Sequence, residues 1–87
     1  MFKKMFMESN SIAKDLKKYL SKNGYKIQKE NEDYIQFYLQ SKGESGAEME
    51  LEKIFQNIGK NSSDYVDEIQ PYKTGKYLAR VYLTPEN

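Results

Sequence analysis

The chain has 87 residues, 38% hydrophobic and 14% aromatic, and its 31% of charged residues balance to a net charge of +1. One domain with a modest core fits that length, and near-neutral charge removes any global pull toward nucleic acid or anionic lipid. Cysteine and histidine are absent, which excludes disulfides, thiolate chemistry, the usual general base near neutral pH and the commonest transition-metal ligands.

Residues 1–8 read as a leader in which Phe2, Met5 and Phe6 can fall on one side of a helical turn. Either they extend the first helix or pack as a loose flap, or the leader is a flexible terminus whose apolar residues, if exposed, suit a partner or a second copy. The leader lacks the apolar run of a secretory signal. Nothing in the chain approaches the roughly 20 apolar residues of a membrane span. A soluble cytoplasmic protein is expected.

A first helix is predicted to start near Ser9 or Ser11, either of which can cap it. Ile12, Leu16 and Leu20 form its apolar stripe, with Ala13 and Tyr19 beside them. Asn23-Gly24 ends it, because glycine accepts the left-handed conformation past a last turn. Residues 25–41 read as a hairpin: a first strand from Tyr25 to Lys29, a polar turn at Glu30-Asn31-Glu32-Asp33, and a second strand from Tyr34 to Ser41. In that second strand Ile35, Phe37 and Leu39 alternate with Tyr34, Gln36, Tyr38 and Gln40, so one side is for a core.

After a flexible connector over residues 42–46, Ser45 and Glu48 fit a capping box. Ala47, Leu51, Ile54, Phe55 and Ile58 then follow at helical spacing, and Gly59 is the stop. Residues 64–70 are ambiguous between a strand and a helical turn. The turn Lys73-Thr74-Gly75-Lys76 behind them favours a strand, with Pro71 confining it to a sheet edge or a bulge. The last strand covers residues 77–83.

The order is αββαββ, an α+β fold with a four-stranded antiparallel sheet and both helices packed on one face. Residues 9–87 form a single domain in which 9–42 and 45–84 look like a duplicated αββ unit. The two second strands align once one residue is inserted, each then beginning with a tyrosine (Tyr34, Tyr77).

The other sheet face is left open. Tyr34, Tyr38, Arg80 and Tyr82 are expected on it, with Gln36, Gln40, Leu78 and Thr84. Aromatic and arginine side chains of this kind are enriched at protein interfaces and also stack bases, although tyrosine covers half-exposed strands without any further role. Lys14, Lys17 and Lys18 on the first helix are candidates for phosphate contacts. Catalysis has little support: serines lack a paired base, carboxylates fall in turns, and there is no phosphate-binding glycine loop.

In size and composition the chain resembles the small inhibitors and accessory proteins of phages and mobile elements, anti-CRISPR proteins among them. That resemblance implies a non-catalytic protein that occupies a macromolecular partner's surface, with a protein as the expected partner and no cofactor or metal. Two other readings stand beside it: a nucleic-acid binder using the helix lysines and the sheet tyrosines, and a self-associating domain, a homodimer through the open face or an edge strand.

Overall fold

The computed structural model describes the backbone of residues 2–85 and the side chains of residues 12–85. Its elements are α1 (Phe2–Lys22), β1 (Ile27–Glu30), β2 (Tyr34–Tyr38), α2 (Glu44–Asn57), a short 3-10 turn (Ser62–Asp64), β3 (Asp67–Lys73) and β4 (Lys76–Tyr82). The strands form one antiparallel sheet in the order β1-β2-β4-β3. The predicted α+β architecture is the one observed. No helix among the described residues is long and apolar enough to cross a membrane.

The two strands with apolar alternation lie side by side at the centre, and the polar strands are the edges. Only a central strand backed by both helices can bury every second residue completely, so the sequence pattern and the strand order have one cause. Ile35, Phe37, Ala79 and Val81 point to the helices and are at most 1% exposed. They meet Ile12, Leu16 and Leu20 of α1 and Ala47, Leu51, Ile54 and Phe55 of α2 in one core, closed at the strand ends by Leu39 and Leu83.

Both helices stop in the same way. Gly24 and Gly59 have φ of 77° and 73°, and the next residue's N–H reaches back five positions: Tyr25 to the Leu20 carbonyl at 2.9 Å, Lys60 to the Phe55 carbonyl at 3.0 Å. This is the glycine-terminated cap in which the left-handed residue frees the chain to fold back on the last turn.

The structure bears on four expectations, of which the first two need correction. First, α1 does not begin at Ser9 or Ser11 but runs through both from Phe2; the Lys, Met and Glu residues of the leader are good helix formers and carry the backbone past those serines. The side chains of Phe2, Met5 and Phe6 lie outside the described residues, and with them the partner-contact reading. Second, the Ser45–Glu48 capping box does not form: α2 starts at Glu44 with Gly43 in the cap position and no side-chain cap bond. Ser45 is therefore already inside the first turn. Glu44 supplies the acidic group that suits the positive helix end.

Third, residues 62–73 use both local forms that the sequence allowed. The 3-10 turn comes first, capped by the Asn61 side chain, which accepts from the Ser63 N–H; the strand follows from Asp67. Pro71 sits on edge strand β3 beside a register shift, as its missing N–H requires. Fourth, the register relates the two central strands directly. The β2–β4 register is centred on Gln36 opposite Arg80. A twofold axis there carries Phe37 onto Val81, Tyr38 onto Tyr82 and Leu39 onto Leu83, so Tyr34 corresponds to Leu78 rather than to Tyr77.

Candidate interface on the open sheet face

Side chains that alternate with the core residues of β2 and β4 emerge on the face away from the helices. The register sets them in rows: Tyr34 beside Tyr82, Gln36 beside Arg80, and Tyr38 beside Leu78. From β3, Glu68 continues the Arg80 row and Gln70 the Leu78 row. Tyr34, Tyr38, Arg80 and Tyr82 are thus brought together, all half-buried.

At the middle of the face is a bonded polar ladder. The Arg80 Nε donates to Gln36 Oε1 at 2.9 Å and its Nη1 to the Tyr82 hydroxyl at 3.2 Å, while Gln36 Nε2 donates to Gln28 Oε1 at 2.6 Å. Gln36 is only 7% exposed for that reason, its amide enclosed but satisfied. The Arg80 guanidinium lies 4.2 Å from the centre of the Tyr34 ring, and the Lys29 ammonium is 5.9 Å from the same ring. Lys29 beside the hydroxyl, with Arg80 close by, holds the Tyr34 phenol below its ordinary pKa.

The tyrosines do not lie flat. Tyr34 and Tyr82 meet edge to face, with centroids 5.6 Å apart and planes at 67°. Tyr38 meets Tyr72 in the same manner at 5.0 Å and 64°. Between the strands Leu78 is 8% exposed although it points away from the core. The face therefore has a cationic end at Lys29, Tyr34 and Arg80 and an apolar end at Tyr38, Tyr72 and Leu78.

Lys29 and Tyr72 escaped the sequence reading. Strict alternation puts Lys29 on the same side as Ile27, toward the helices. A bulge between Ile27 and Lys29 sets Lys29 opposite Gln36 and so on the open face. Tyr72 has the outward parity of Glu68 and Gln70, which becomes readable once β3 is accepted as a strand.

The remaining candidates lie elsewhere. Gln40 is not on the face: its side chain donates to the Asn23 carbonyl at the end of α1. Lys14, Lys17 and Lys18 are exposed on α1, across the sheet from the tyrosines. Lys17 pairs with Glu30 at 3.1 Å. No single small ligand touches both sets. Glu30, expected in a turn, is a strand residue, as are Asp67 and Glu68. Among the described residues no cluster of acids gathers as a metal site.

One half-buried carboxylate is committed to structure. Glu50 of α2 accepts from the Gln40 N–H at 2.9 Å, from the Ser41 N–H at 2.8 Å and from the Tyr25 hydroxyl. Burial alone would raise its pKa, but these donors outweigh it and the net shift is downward. Burial, and then the Glu50 carboxylate, push Tyr25 far above the usual phenol range. An open groove of about 660 Å³ lies alongside, lined by Tyr25, Ser41, Met49, Glu50 and Lys53 among others.

No protein-family model, curated protein or solved structure matches this chain.

Proposed function

We propose that this protein is a non-catalytic binding domain that occupies the surface of a protein partner with its open sheet face, as an inhibitor or accessory subunit does. One observation carries the reading: Tyr34, Tyr38, Arg80 and Tyr82 converge on one face and are fixed there by their own contacts. Rigid aromatic and arginine anchors lose little entropy on binding and dominate interface energies. The lack of histidine and cysteine favours binding over catalysis, and a cytoplasmic location suits a cysteine-free chain.

Geometry favours a protein over a nucleic acid. Base stacking needs free ring faces, whereas one face of Tyr34 meets Arg80 and the tyrosine pairs are packed edge to face. The helix lysines, on the other side, offer no phosphate track beside them. Edge-to-edge self-association is disfavoured because β1 is short and bulged and β3 carries Pro71 at a register shift.

The test is affinity capture from the native host with mass spectrometry, comparing the wild type with Tyr38→Ala and Tyr82→Ala. A protein retained by the wild type at moderate salt and lost from both variants is the expected result. An unchanged set of captured proteins, or salt-sensitive recovery of nucleic acid alone, refutes the proposal, and concentration-dependent mass in sedimentation would favour the homodimer.

A further inference from the structure

The geometry points to an acidic segment of the protein partner as the occupant of the open face, its carboxylate seated against Arg80 and Lys29 and a neighbouring apolar side chain against Tyr38, Tyr72 and Leu78. This inference rests on the binding-face reading above and names the chemistry of what binds there.

Charge complementarity is the first support. At the Tyr34 end of this face the strand cations Lys29 and Arg80 meet a single strand carboxylate, Glu68, which stands in register with Arg80. Glu32 and Asp33 belong to the β1–β2 turn beyond Tyr34. Lys17 and Glu30 neutralise each other on the helix side. Two strand cations therefore stand beside Tyr34, with Glu32 and Asp33 confined to the adjoining turn.

Arg80 supplies the second. A guanidinium has five N–H donors in a rigid fork. Gln36 and Tyr82 take donors from Nε and Nη1, and Tyr34 holds the plane. Nη2 is left to donate to an acceptor from outside, at a fixed angle. Such an arginine is suited to a carboxylate. Lys29, across the Tyr34 ring, is placed to add a second cation.

The distance between the two ends sets the ligand's pattern. Tyr34 and Tyr38 are four strand residues apart, about 13 Å at the usual rise of an extended chain. An extended partner segment meets both ends when its acid and its large apolar residue are separated by roughly the same number of residues.

The probe is the acetylated peptide EESSSF, with QQSSSF as its neutral control and a short oligothymidylate as the nucleic-acid alternative. Amide NMR titration of the full chain should show EESSSF shifting β2 and β4 near Arg80 and Tyr38, with QQSSSF binding about tenfold more weakly. Lys29→Gln, whose side chain makes no hydrogen bond that the fold needs, should weaken EESSSF several-fold, and Glu68→Gln should strengthen it. Equal binding of the two peptides, no shifts with EESSSF at millimolar concentration, or preferential binding of oligothymidylate overturns the inference. A captured protein that depends on Tyr38 and Tyr82 but not on Lys29 would sink this inference and leave the binding-face reading standing. A captured set that depends on neither the tyrosines nor Lys29 would sink both.

Discussion

Glu50 gives the sharpest energetic test of the fold. Its carboxylate holds the chain just after β2 by accepting two backbone N–H groups, and it ties Tyr25 to α2 through the phenol. Glu50→Ala removes three charge-assisted acceptors at once and leaves the Gln40 and Ser41 N–H groups to find water. Each such bond contributes about 1.5–3 kcal/mol where water is excluded. The Gln40 N–H is exposed and the carboxylate only partly enclosed, so the total should be about 2–3 kcal/mol rather than the sum. Glu50→Gln keeps one acceptor oxygen and should cost about half as much. Because the folded state lowers the Glu50 pKa, its contribution is complete above the ordinary glutamate value and fades as pH falls through the lowered one. Urea unfolding at neutral pH and near pH 3 measures both points. A loss below about 0.5 kcal/mol at neutral pH, or a loss independent of pH, would refute the assignment of Glu50 as the clamp.

Other substitutions probe the core and the β3 edge. Phe37→Ala removes a fully buried ring at the middle of the core and should destabilise by about 3–5 kcal/mol in the same urea assay. Asp67, on the helix side of β3 beside Glu48 and Glu52, has its pKa raised by burial. Its ionisation therefore opposes folding as pH rises through the raised value, so Asp67→Asn should raise the urea midpoint at neutral pH and leave it unchanged in acid.

The fold was legible because its strongest signals are redundant. Ile35, Phe37 and Leu39 at period two, the stripes of both helices and the glycines after them all agree on one architecture. The errors fell where a local signal had no partner to check it. Ser45 and Glu48 satisfy a capping pattern, but the helix starts two residues earlier than that cap would allow. Tyrosine was a poor guide because both faces accept it: Tyr77 packs against the core while Tyr38 and Tyr82 do not.

The candidate site was legible only in part, for a physical reason. Tyr34, Tyr38, Arg80 and Tyr82 lie on strands whose opposite side is strongly apolar, so parity alone assigned their face. Lys29 lies on an edge strand with little apolar content, and a bulge is a property of the pairing rather than of either sequence. Yet that bulge brings the second cation to Tyr34 and gives the face a positive end. The twofold relation sharpens the point. Tyr38 and Tyr82 are equivalent positions, as are Gln36 and Arg80, but Tyr34 corresponds to Leu78. Matching apolar positions of β2 and β4 build the shared core, while the positions that differ across the register divide the open face into a cationic end and an apolar end. A partner that reads both ends can bind in one orientation only.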